Sequence, residues 1–207
     1  MKLYAATGAC ALHVQIVLRE LGLPFELELV DLATKRTASG ADFTRINPKG
    51  YIPALVLDDG RVLTEGAVIS AFLVDYAGKA GPGGLLPALG DFQRVRAQEA
   101  MHFIATEIHK GFAPLFKPSS DEAKATARAE IAHRYDTLEA ALSRQAFLAG
   151  DAFSIVDAYA FNVVGWSRHA GIDLARWPAL AAWHARVATR PTVRASMEAE
   201  GLVQRAA

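Results

Sequence analysis

Asn47-Pro48-Lys49-Gly50-Tyr51-Ile52-Pro53-Ala54-Leu55, followed closely by Leu63-Thr64-Glu65-Gly66, is the most informative stretch of this 207-residue chain. Its first half reads as a turn leading to a proline that opens an apolar, strand-like run over 53–57. Proline has a fixed φ and no backbone donor, so within a sheet it is confined to strand starts, edges and bulges. A cis Ile52–Pro53 bond would turn the backbone of Ile52 outward, leaving its N–H and C=O open to an extended peptide. Asp58-Asp59-Gly60 separates this run from another at 61–63, a hairpin signal with glycine where positive φ is needed.

Working outward, the spacing predicts a short strand at 2–5 and a helix over 11–21 that Gly22 stops. Residues 25–30 alternate large apolar side chains with glutamates, as a half-buried strand does. A further helix spans 65–76. A βαβ unit followed by a ββα unit is the thioredoxin-like pattern. Composition then shifts at 78–84, the most glycine-rich stretch of the chain, which reads as a linker. Helical patterns follow over 91–112, 121–146, 154–170 and 178–189. The expected organisation is an α/β thioredoxin-like domain at 1–80, a linker at 81–90 and an all-α domain at 91–207.

Composition narrows the class. Twenty-two basic residues balance 22 acidic ones, so no electrostatic footprint for nucleic acid or anionic lipid is expected. No apolar run approaches the roughly 20 residues that cross a bilayer, and the first residues lack a secretory-signal pattern. One cysteine cannot make an internal disulfide, and a lone thiol suits a reducing compartment. A cytoplasmic location is expected.

Cys10 lies between the first strand and the first helix. A thiol at a helix N-terminus meets unpaired backbone N–H groups that favour the thiolate; alternatively it is a small buried hydrophobe. Taken alone, Lys35 reads as a solvated loop charge and Glu65 as a first-turn glutamate favoured by the helix dipole. At about 100° per residue, Glu99, His102, Thr106, His109 and Lys110 share one arc of the 91–112 helix, opposite Ala97, Met101, Ile104 and Ile108. That stripe is either a solvated face or the wall of a site. Ser154-Ile155-Val156-Asp157 has capping-box spacing ahead of an amphipathic helix, a folding element to which no catalytic part falls. Glu99-x-x-His102 and Glu130-x-x-His133 share the spacing of di-iron bundles. The other helices offer no well-placed glutamates to complete one, so no metal is expected.

Taken in order, Gly8-Ala9-Cys10, Ile52-Pro53, Glu65-Gly66 and the segment 104–112 resemble the cytosolic glutathione S-transferases, most closely their bacterial beta class. The resemblance spans essentially the whole chain. It implies the glutathione transferase fold and a homodimer with glutathione as co-substrate and no further cofactor. The reaction it implies is conjugation to small hydrophobic electrophiles, with a Cys-dependent thiol-transferase or peroxidase side activity. The alternative is a non-catalytic glutathione- or ligand-binding regulatory protein of the same fold. It assigns catalysis to Cys10 and His109, and glutathione binding to Cys10, Lys35, Ile52, Pro53, Glu65, Gly66, His102, Thr106, Glu107 and His109. Lys35 would meet the glycyl carboxylate, Ile52 the peptide backbone, and Glu65 and Gly66 the γ-glutamyl end. His102 and Thr106 would face the glutathione of the neighbouring subunit. Tyr51 and His102 stand where the class often carries other residues. Tyr4 and Thr7 are the hydroxyls that would replace Cys10 in holding the sulfur.

Overall fold

The computed structural model describes residues 1–81 and 83–204, arranged as two compact units. Among the described residues, the first comprises Met1–Lys79 together with 190–204. Its strands β1 (Lys2–Ala5), β2 (Glu26–Asp31), β3 (Arg36–Thr37), β4 (Ala54–Val56) and β5 (Val62–Thr64) form one sheet in the order β3-β2-β1-β4-β5. The central β1 runs parallel to β2, with Leu3 beside Leu27, and antiparallel to β4, with Leu3 beside Leu55. β4 and β5 form the expected hairpin, and Gly60 takes φ +84 in its turn. The two-residue β3 was too short to show in the sequence pattern.

Because successive side chains on a strand face opposite ways, the sheet packs on both sides. Tyr4, Val30, Phe43 and Ala54 form one cluster, with Ile46, Ile52 and Val56 against it. Leu3, Ala5 and Leu55, fully buried, alternate with them along the strands. Helix α1 (Leu12–Glu20) packs on α2 (Gly66–Tyr76). α1 ends in a Schellman turn: Leu23 N–H donates to Leu18 O, and Gly22, at φ +68, supplies the left-handed residue.

The last helix departs from the expected boundary. Instead of ending an all-α domain, α9 (Pro191–Ala199) packs on α1 in the first unit. Arg190 donates twice to the Glu20 carboxylate at 2.9 Å, and Thr192 donates to it as well. Further along, Glu200 reaches back to Gly8 and Gln15.

The second unit, Ala80–Thr189, holds α3 (Phe92–Phe103), α4 (Ala113–Phe116), α5 (Asp121–Leu142), α6 (Ile155–Gly165), α7 (Ser167–Ala170) and α8 (Pro178–Ala188). The expected 91–112 helix is not uniform. α3 passes into a π-helical turn at Ile104–His109 and a 3₁₀ turn at Lys110–Phe112. The apolar side expected of it holds, with Ala97, Met101, Ile104 and Ile108 all buried. α6 is not amphipathic but buried all round, from Ile155 to Val164. Its capping box forms as expected: Ser154 Oγ accepts from Val156 N–H and Asp157 accepts from Ser154 N–H at 3.0 Å. Asp157 further accepts from Leu148 N–H and Trp183 Nε1, so one buried carboxylate pins three segments. Of the expected linker, Pro82 lies outside the described residues. No helix among the described residues is long and apolar enough to cross a membrane.

Candidate active site

The loop before β4 is organised by buried Asn47. Its side chain donates to Tyr51 O at 2.6 Å and accepts from Lys49 N–H, while Gly50 N–H donates to Asn47 O at 2.8 Å. The Ile52–Pro53 bond is cis. The Ile52 carbonyl, expected to be open to a ligand, accepts instead from the Cys10 thiol at 3.3 Å. Tyr51 holds its ring outward, 69% exposed.

Lys35 and Glu65 flank this loop in a conformation that L-residues seldom adopt. Among the described residues they are the non-glycine positions with positive φ, +56 and +66. Such strain costs about 1–3 kcal/mol per residue and concentrates where a site requires it. Lys35 Nζ donates to Gly50 O at 2.9 Å. Glu65 is the N-cap of α2 and makes no side-chain capping bond, so the positive end of that helix is left to an anion. Its carboxylate pairs instead with Lys49 at 3.2 Å, a partner the linear sequence did not reveal.

Behind Cys10 lies a buried polar layer that sequence reasoning also missed. His13 Nδ1 donates to Cys10 O, and Glu200 accepts from Gly8 N–H at 2.7 Å and from the Gln15 side chain. The helix-dipole expectation for the thiol fails. Burial pushes Cys10 up to about 12, and the Glu65 and Glu200 carboxylates add to the rise. Two features explain why the helix does not prevail. Cys10 precedes the N-cap Ala11, and the first amides already have partners, Leu12 N–H on Ala9 O and Val14 N–H on Ala11 O. The hydroxyl alternatives are less suited: Tyr4 is buried against Phe43 at a ring separation of 5.6 Å, and Thr7 points into solvent.

The remaining candidates lie in the second unit, on α3 and the π turn. His102 Nδ1 bonds Gln98 O at 2.8 Å, Thr106 Oγ1 donates to His102 O at 3.0 Å, and Glu107 pairs with Arg134 at 2.9 Å. His109 Nδ1 lies 2.7 Å from the Tyr159 hydroxyl and its ring meets Trp166 edge-on at 4.9 Å. Phe112 and Phe116 stack at 5.8 Å, and both stand edge-on to Trp166. His109 therefore borders an aromatic surface, with Phe116 half exposed. Glu99 pairs with Arg96 at 2.7 Å, and among the described residues no three His, Cys, Asp or Glu side chains converge as metal ligands would.

Comparison with known proteins agrees with this architecture. Residues 7–75 match the glutathione S-transferase N-terminal domain, and residues 103–191 the C-terminal domain. Glutathione S-transferase GstA of Escherichia coli O157:H7 is 41% identical over 203 residues, covering 98% of this chain and 100% of its own. The structure of a sphingomonad glutathione S-transferase complexed with glutathione is 43% identical, with a TM-score of 0.93 over 98% of this chain and 100% of that one. A beta-class glutathione S-transferase from Sphingomonas chungbukensis, 42% identical, superposes with the same TM-score and coverage. With a thioredoxin-like first unit, a helical second unit, and relatives matching end to end, the chain belongs to the glutathione S-transferase family and is an enzyme of that family.

Proposed function

We propose that this enzyme is a beta-class glutathione transferase that conjugates glutathione to small apolar electrophiles, working as a cytoplasmic homodimer. The observation that carries the reading is the backbone strain at Lys35 and Glu65, two residues that the family resemblance independently assigns to the tripeptide. Glutathione would lie as an extra extended segment along the Ile52 backbone, a form of strand addition. Lys35 would take the glycyl carboxylate. The uncapped start of α2 at Gly66 would take the γ-glutamyl carboxylate, with Glu65 accepting from the ammonium. His102, Thr106 and Glu107 keep the glutathione-binding roles, and His109 the second catalytic role, that the resemblance gives them.

In the reaction, the glutathione sulfur attacks an electrophilic carbon, the leaving group departs with its electron pair, and the thiol proton passes to solvent. The exposed face of Phe116 beside the half-buried Trp166, both packed on the buried Phe112, suits a planar, apolar co-substrate. Thiol transfer or peroxidase chemistry would instead need the Cys10 thiolate, which a value of about 12 makes scarce at neutral pH. The raised thiol of Cys10 favours conjugation over Cys10-dependent thiol transfer, which the reading keeps as a side activity. The dimer is supported by the family and by apolar surface at Leu89, Phe92 and Val95, each more than half exposed.

The test is glutathione affinity by calorimetry. Lys35→Ala and Glu65→Gln should each weaken binding about tenfold, the loss of one charge-assisted contact. Unchanged affinity in both would remove this site.

A further inference from the structure

We propose that His13 is a positioning residue of this enzyme: its imidazole bridges the Cys10 loop and the first turn of α2, setting the spacing between the thiol and the Glu65–Gly66 end of the site. The inference rests on the glutathione reading of that site, but its geometry belongs to the first unit alone. The ring is only 1% exposed and lies on α1, one residue into the helix. A carbonyl oxygen only accepts, so the contact of Nδ1 with Cys10 O places the ring hydrogen on Nδ1. The far edge of the ring lies against Gly66: a Cβ built there would overlap Cε1 and Nε2 of His13 and sit 3.4 Å from Pro53 Cγ.

This contact explains a glycine that the backbone does not require. Gly66 is the first residue of α2 and lies outside the left-handed region, so alanine would fit its φ and favour the helix. What excludes a side chain is the His13 ring. Two segments thus meet at one imidazole: the Cys10 loop through its carbonyl and α2 through the bare Gly66 backbone. Cys10 in turn donates to Ile52 O at 3.3 Å. Freeing the Cys10 carbonyl would let the loop shift and alter both the thiol's hydrogen bond and the seat for the γ-glutamyl group.

The experiment uses His13→Ala, His13→Asn, Gly66→Ala and the double variant His13→Ala/Gly66→Ala in the full chain. Two readouts apply, the KM for glutathione against kcat, and the rate at which iodoacetamide alkylates Cys10, the single cysteine. His13→Ala should raise KM and speed alkylation by about fivefold or more, the factor matching one lost hydrogen bond. His13→Asn carries an amide N–H near the position of Nδ1 and should restore both. Gly66→Ala alone should raise KM, and removing the ring in the double variant should relieve much of that defect. The proposal is overturned if His13→Ala leaves KM and alkylation within about twofold of the parent, or if Asn behaves as Ala. It is overturned equally if the defects of His13→Ala and Gly66→Ala simply add. Should His13→Ala fail to fold, the Asn variant and the response of Gly66→Ala decide in its place. If the parent binds no glutathione the reading of the site fails, while alkylation and the double variant still test His13.

Discussion

Replacing Glu200 by glutamine is expected to flatten the pH dependence of stability between pH 4.5 and 7. Glu200 is 5% exposed, and burial raises its carboxyl from 4.5 to about 7 even though the bonds from Gly8 N–H and Gln15 favour the ionised form. Gln15 is fully buried with an amide oxygen that makes no hydrogen bond, so after a flip it would accept from protonated Glu200. Between the two values the folded protein holds a proton that the unfolded chain has released. This contribution to stability is therefore fully present below pH 4.5 and lost as pH rises through about 7. At about 1.36 kcal/mol per unit, the rise from 4.5 to about 7 corresponds to about 3 kcal/mol. Urea unfolding followed by far-UV circular dichroism, at one protein concentration from pH 4.5 to 8, compares parent and variant. The glutamine amide mimics the protonated acid, accepting from Gly8 and donating to the Gln15 oxygen. Whatever constant offset it introduces, the difference should move in the variant's favour by about 3 kcal/mol across the range. Profiles that stay parallel within about 0.5 kcal/mol would refute the linkage argued here.

Three further outcomes are expected. Alkylation of Cys10 should keep accelerating as pH rises well above the free-thiol value of about 8.5, and a plateau by neutral pH would contradict the raised thiol. Cys10→Ala should abolish mixed-disulfide formation with oxidised glutathione yet retain conjugation, because the attacking sulfur belongs to glutathione; loss of both activities would make Cys10 essential to conjugation. Sedimentation at micromolar concentration should give a species near twice 22.2 kDa, and a clean monomer would leave the apolar start of α3 without the partner assigned to it.

The readings that held were those that rest on local chemistry. Gly22 stops α1 because positive φ suits it, Asp58-Asp59-Gly60 makes a hairpin turn between two apolar runs, and Ser154 with Asp157 caps α6. The sheet order could be anticipated because a βαβ unit followed by a ββα unit leaves few ways to bury its apolar strands. The assumption of a constant helical period failed at 104–109, where the chain widens into a π turn. α9 was overlooked because its apolar face matches α1, a partner near the other end of the chain.

By itself, the sequence determined the thioredoxin-like unit and its helical companion, since turn residues, caps and apolar periodicity act over a few positions, and it offered Cys10, Ile52-Pro53 and Glu65-Gly66 as a set by resemblance. Only the tertiary structure decided what surrounds them. Lys49 on Glu65, His13 against Gly66 and Glu200 under Gly8 are pairings between distant positions, created by packing and absent from any local pattern. The thiol shows the difference most plainly. Its place ahead of a helix favours the thiolate, but desolvation depends on every neighbour the fold brings in, and at Cys10 burial and two carboxylates prevail over the helix end.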